Sequence, residues 1–232
     1  MRVMGRRADQ RAATTAEIKN AALDQIATRG APGLSMRALA RQIEMSPAGL
    51  YRYFDGRDAL LTELLADAYN DLARTVEDAI AAVGPSPRQR LIAGAEAYRQ
   101  WAVEDTNRFL LIFGTPIPGY HAPEDGPTVA AMRRVGMAFF GVAAYAFVLD
   151  AITFPSLDRE PTPEERATAD EVARLAPGFP AQAIPVLIGA WARWHGLVSL
   201  EVLGQLEWLY PEPGDFFTSE VERIADELGT TD

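Results

Sequence analysis

The chain has 232 residues, 48% of them hydrophobic and 23% charged, with a formal net charge of −10; this supports a sizeable core and excludes disordered and fibrous classes. It holds no cysteine, which removes disulfides, zinc–thiolate sites, iron–sulfur clusters and thiol nucleophiles and leaves the cytoplasm as the simplest compartment. The N-terminus is basic and polar, without the apolar run of a secretory signal. The longest uncharged stretch, residues 135–149, is 15 residues long and interrupted by Gly136 and Gly141. That falls short of the roughly 20 residues of a membrane span, so it reads as a buried helix and no membrane partner is expected.

The charge is unevenly placed. Up to Arg57 there are ten basic residues against five acidic ones, a net +5 that leaves −15 for the remainder, and this points to an anionic partner for the N-terminal quarter alone.

Apolar residues recur at three- and four-residue spacing almost throughout, and no run alternates strictly, so the expected fold class is all-α. Thr14 and Glu17 form a capping box ahead of a first helix that Gly30, Pro32 and Gly33 end near Arg29. Ser35 caps a short second helix, and Ser46-Pro47 opens a third, Pro47 to about Tyr53. From Arg57 an amphipathic pattern runs to Val83, where Gly84-Pro85-Ser86-Pro87 breaks it and recaps a helix reaching about Glu104. Thr106–Phe113 is a short piece. Gly114 to Pro127 is an irregular loop around His121, and Pro127 restarts helix toward Phe154. Thr162-Pro163-Glu164-Glu165 opens a surface helix to Leu175; a long apolar helix after Pro180 ends near Leu209; and residues 215–228, stopped by Gly229, form the last.

Residues Met36 to Ile43, a tight link at Glu44-Met45, and Pro47 to Phe54 form two short helices joined by a turn, the geometry that lays a second helix in the DNA major groove. Leu39, Ile43, Leu50 and Phe54 are expected to pack inward. Ser46, Pro47, Ala48, Gly49, Arg52 and Tyr53 then face outward, with small residues letting the backbone approach base edges. Ser35, Tyr51 and Arg57 are placed for phosphates, and Met36 and Arg37 are counted with them.

The string Ser35-Met36-Arg37-Ala38-Leu39-Ala40-Arg41, then Ser46-Pro47, Leu50-Tyr51-Arg52-Tyr53-Phe54 and Arg57-Asp58-Ala59-Leu60-Leu61, closely resembles the TetR family of bacterial transcription regulators over roughly residues 14–61. The resemblance implies that Tyr51, Tyr53 and Arg57 contact backbone and groove. It also implies that a basic arm before Thr14, carrying Arg6, Arg7 and Arg11, reaches the adjacent minor groove. One residue departs from the family pattern: Glu44 stands where glycine is usual, so the turn either avoids positive φ or accepts a strain of roughly 1 kcal/mol. Its charge also lowers DNA affinity or tunes operator choice.

Residues 1–56 are thus read as a basic arm and helix-turn-helix domain, and 57–232 as a helical effector-binding and dimerisation domain. The latter resembles the branch of the family with a Trp-His-Gly signature, here Trp194-His195-Gly196, together with Arg108-Phe109-Leu110-Leu111-Ile112-Phe113-Gly114. Its aromatic residues, Tyr98, Trp101, Phe109, Phe113, Met137 beside Phe140, Tyr145, Trp191, Trp194 and His195, either form plain core or line an apolar effector cavity. His195 is either a structural hydrogen-bonder or a ligand contact. The acidic balance of this domain suggests a neutral or cationic, largely apolar effector.

A single helix-turn-helix reads one half-site, so a pseudo-palindromic operator and a homodimer are expected. Gly189, Gly196 and Gly204, with Leu197, Leu200, Leu203, Val221 and Ile224, offer a stripe on the last two long helices that packs on its own chain or forms a four-helix seam with a partner. The resemblance implies a repressor that releases its operator when the effector tilts the helix from Arg57. The competing readings are a helical protein-interaction module and an enzyme. The inventory of catalytic groups is thin, with His121 in a loop, His195 in a helix and no phosphate loop or nucleophile elbow, so no catalytic residue, cofactor or metal is assigned.

Overall fold

A computed structural model describes residues 2–155 and 158–230, with side chains from residue 8 onward, and among them every regular element is helical. The elements are α1 (Arg2–Arg29), one 3₁₀ turn (Ala31–Gly33), α2 (Met36–Gln42), α3 (Pro47–Tyr51), α4 (Arg57–Ala82), α5 (Pro87–Glu104), α6 (Thr106–Phe113), α7 (Pro127–Val148), α8 (Pro163–Val172), α9 (Ala183–Val202) and α10 (Gly214–Glu227).

They make two compact units that do not follow chain order: residues 1–69 with 107–132, and residues 70–106 with 133–232. A single break after Gly56 does not describe this division. α4 is continuous across it, and α6 with the following loop belongs to the first unit.

The first unit is built on a leucine-rich core. Ile18, Ala22 and Ile26 of α1, Leu39 of α2, Leu50 of α3, and Leu60, Leu61 and Leu64 of α4 are essentially inaccessible, joined by Leu34 and Phe54 from the connections and Leu111 from α6. Each buried leucine contributes on the order of 2 kcal/mol. Lys19, the sole lysine, ties α1 to α4 through Glu63 (3.0 Å) and Asp67 (2.7 Å). Burial opposes its charge, but the two carboxylates more than offset this and hold the ammonium above its ordinary value. The loop after α6 is fastened by Tyr120 Oη against Thr62 Oγ1 (3.0 Å), and Tyr69 donates to the Ile112 carbonyl (3.2 Å).

In the second unit α5, α8 and α10 pack on α9. Arg99 of α5 donates twice to Glu201 of α9, Nε to Oε2 at 2.7 Å and Nη2 to Oε1 at 2.5 Å, with both side chains less than a fifth exposed. The guanidinium also lies over the Phe217 ring of α10, 5.8 Å from its centroid, so one group clamps three helices.

Several boundaries differ from the sequence reading. Thr14 does not start α1: its hydroxyl donates back to the Gln10 carbonyl, and helix extends to Arg2, since no proline stands in that stretch and only Gly5 weakens it. The segment before Thr14, read from the sequence as a basic arm, is therefore helical. α7 ends at Val148, six residues before Phe154, because Asp150 turns to φ 56° and the Ala151 N–H closes on the Ala146 carbonyl (2.8 Å). α9 ends at Val202, short of Leu209, by the same device with Gly204 at φ 67° and Gln205 bonded to Leu200. α7 is also more open than the buried helix expected over residues 135–149. At 22 residues it is long and apolar enough by composition to cross a bilayer, a test that core helices of bundles also meet, and a third of its most apolar stretch is buried.

Truncating one partner of the α5–α9 clamp leaves the other charge part-buried and unpaired. Glu201→Ala is expected to lower unfolding free energy by about 2 kcal/mol, read as a reduced urea midpoint at unchanged m-value.

Candidate functional site

In the first unit both helices of the turn motif are capped by the serines that the sequence singles out. Ser35 Oγ accepts from the Ala38 N–H (3.3 Å) and Ser46 Oγ from the Gly49 N–H (3.1 Å), with Pro47 at the first position of α3. Both hydroxyls are thus employed in starting helices. Gln25, only 6% exposed on the inner face of α1, braces α2 at both ends: its carbonyl accepts from Ser35 N (3.3 Å) and its amide donates to Gln42 (3.1 Å). The sequence reading missed it. The signal was a glutamine interrupting the apolar series Ile18, Ala22, Ile26.

Between the helices, Met45 N–H bonds the Ala40 carbonyl (2.8 Å) and Glu44 N–H the Arg41 carbonyl (3.3 Å), a helix C-terminal motif that requires the residue between to be left-handed. Glu44 adopts φ 52°. Of the two alternatives at this position the turn takes the strained one.

The outward residues divide. Ser46, Pro47, Ala48, Arg52 and Arg37 are exposed, and Tyr51 is 54% exposed. Gly49 is buried and does not face outward: a Cβ there would lie 3.0 Å from Met45 Cγ and 3.1 Å from the capping Ser46 oxygen, so its role is in packing the turn. Met36 and Tyr53 are half-buried against the leucine core. The Arg11 guanidinium covers the Tyr53 ring at 5.3 Å and donates to the Arg52 carbonyl (3.5 Å). Arg57 donates to the Ala31 carbonyl (3.1 Å), tethering the start of α4 to the 3₁₀ turn, so its guanidinium already has structural work beside any phosphate contact. The side chains of Arg6 and Arg7 lie outside those described.

The second unit gathers a different part of the expected aromatic set. Tyr98 of α5, Trp191, Trp194 and His195 of α9 and Phe139 of α7 form one cluster. Phe139 stands 5.1 Å from Trp194 and 6.5 Å from Tyr98, while Trp191 stacks on His195 at 4.8 Å and 17°. Tyr98 Oη and His195 Nδ1 are 2.7 Å apart, and Ser199 Oγ lies 3.5 Å from Nε2. Burial pulls the imidazole below its ordinary value, so His195 is neutral at pH 7. Phe139 was missed by the sequence reading, which took its neighbours Met137 and Phe140; those two are half-buried on the same helix.

The remaining members lie elsewhere. Trp101 donates to Asp71 (3.1 Å), Tyr145 sits beneath Arg90 (4.5 Å), and Phe109 and Phe113 belong to the first unit, where Phe113 meets Tyr69 edge-on. Among the described residues no three metal-ligating side chains converge.

Residues 18–64 match the model of bacterial regulatory proteins, tetR family, and residues 91–224 that of the tetracyclin repressor-like C-terminal domain. The chain is 38% identical over 225 residues to the HTH-type transcriptional regulators Rv1816 and MT1864 of Mycobacterium tuberculosis and Mb1846 of Mycobacterium bovis, covering 95% of this chain and 94% of each relative. The chain belongs to the tetR family of bacterial regulatory proteins. It is a helix-turn-helix transcriptional regulator and not an enzyme. The crystal structure of SCO4313 superposes with a TM-score of 0.72 at 35% identity, over 93% of this chain and 97% of that one. The TetR family regulator PfmR from Thermus thermophilus shares the fold alone, with a TM-score of 0.58 at 16% identity over 93% and 98% of the two chains. The C-terminal match is to the tetracyclin repressor-like domain, and Trp194-His195-Gly196 adds no finer branch assignment.

Glycine at position 44 relieves the left-handed strain but adds unfolded-chain entropy. Glu44→Gly is therefore expected to raise stability by about 0.5–1 kcal/mol, seen as a higher Tm with unchanged helicity.

Proposed function

We propose that this regulator is a cytoplasmic, homodimeric repressor that binds a pseudo-palindromic operator and releases it when a small, largely apolar effector occupies the second unit. The observation that carries this is the motif Ser35–Phe54: two capped helices on a buried leucine core, with Arg37, Tyr51 and Arg52 exposed around the second. Arg37 and Tyr51 serve the phosphate backbone, and base choice rests on Ser46 to Ala48 with Tyr53 beside them.

The route from effector to DNA is α4. Its first half belongs to the first unit and its second half to the other. A ligand that prefers a different tilt of residues 70–82 shifts the start of the same helix, which Arg57 ties to the turn at Ala31.

Dimerisation is assigned to α9. Ile188, Leu200 and Leu203 are exposed, and a Cβ at Gly189 or Gly196 would meet nothing within 4 Å, which favours close approach of a second copy. Val221 and Ile224 of α10 are buried within their own chain, and the outer face of that helix carries Glu222, Arg223, Asp226 and Glu227. The seam accordingly centres on α9, with α10 at its charged edge.

On DNA flanking its own gene, with non-specific competitor, the protein is expected to give a discrete shifted band. Arg37→Ala and Tyr51→Ala should weaken that band on all sequences at unchanged circular dichroism, and Arg37→Ala should lower the salt slope by about one. Leu200→Arg should elute as a monomer and lose the band. Wild-type affinity in both DNA-face variants would refute the assigned face, and a dimeric Leu200→Arg would refute the seam.

A further inference from the structure

Trp194 is 2% exposed, yet its indole Nε1–H has no hydrogen-bond partner, the one side-chain atom in that position among the described residues. An indole nitrogen donates and cannot accept. A buried donor without an acceptor is rare and disfavoured, and where it persists the reasons are local strain, a bound water or ion, or a ligand that supplies the acceptor. Its surroundings supply none: the Phe139 ring stands 5.1 Å away, and His195, one residue on, has Nδ1 within 2.7 Å of Tyr98 Oη.

The cations of these three helices are also committed. On α5, Arg88 pairs with Asp226, Arg90 covers Tyr145 and bonds the Gly84 carbonyl, and Arg99 holds Glu201. On α7, Arg133 and Arg134 pair with Glu171 and Glu77, and on α9 Arg193 pairs with Glu227. His195 is kept neutral by burial. An anionic ligand here would lose its hydration against no free positive charge.

Resting on the effector reading of the second unit, we propose that the Tyr98–Phe139–Trp191–Trp194–His195 cluster binds a neutral, planar molecule whose carbonyl-type oxygen accepts the Trp194 Nε1–H. The flat Trp191 and His195 rings, both half-buried, provide stacking surface for its planar part. The single donor fixes its orientation, as one placed polar group does in an otherwise apolar site.

The test uses the intact ¹⁵N-labelled protein and two isosteric planar probes: acetophenone, which carries the acceptor, and α-methylstyrene, in which CH₂ replaces the oxygen. The four tryptophans give separate indole signals, and Trp194→Phe assigns the one that matters. Acetophenone is expected to move the Trp194 indole proton downfield and to bind roughly fivefold more tightly than α-methylstyrene, with Trp194→Phe abolishing that preference. Equal binding of the two probes overturns the proposal while leaving a ligand-binding unit in place. Acetophenone binding without movement of the Trp194 signal, or no binding of either probe, also overturns it. The effector reading itself fails separately, if no compound in a chemically diverse panel dissolves the operator complex.

Discussion

The bond from Met45 N–H to the Ala40 carbonyl is the constraint on which the helix-turn-helix depends. It closes α2, fixes the direction in which α3 leaves, and is geometrically possible because Glu44 accepts a left-handed backbone. Glycine would take that conformation freely; glutamate holds it because the leucines on either side are buried together and leave the chain no cheaper path. The same closure explains Gly49, whose missing Cβ keeps Met45 and the capping Ser46 in place.

From that turn the consequences run along α4. Arg57 anchors its first turn, Leu60, Leu61 and Leu64 bury its next two in the first unit, and Leu72, Ala73 and Val76 bury its later part in the second. A 26-residue helix is stiff on this scale, so tilt at one end is displacement at the other.

The helix-turn-helix was legible because caps, proline and apolar spacing all agreed: Ser35, Ser46-Pro47, Leu39, Leu50 and Phe54 stand where local rules place them. The boundaries that escaped did so where a local rule had a competitor. Thr14 carries a valid cap signature, but upstream residues propagate helix just as well, and α1 runs through it. Asp150 stops α7 in a conformation that composition assigns to glycine or asparagine. The aromatic cluster was half legible. Tyr98, Trp191, Trp194 and His195 were named, but a helical wheel cannot choose among Met137, Phe139 and Phe140 without the position of α5, where Gly94 lets the Phe139 ring approach to 3.2 Å of the Cβ it lacks. Gln25 interrupts an apolar series, but its role could not be read locally, since its partners Ser35 and Gln42 lie 10 and 17 residues away.

The central claim is that two copies of the Ser35–Phe54 motif grip one stretch of duplex from the same side. Hydroxyl-radical footprinting of the purified protein on its own flanking DNA tests this most directly. The account predicts two protected windows related by a dyad, with half-site centres about 34–36 Å apart along the helix axis. Protection of a single window, or uniform protection without a dyad by a folded dimer, would contradict it.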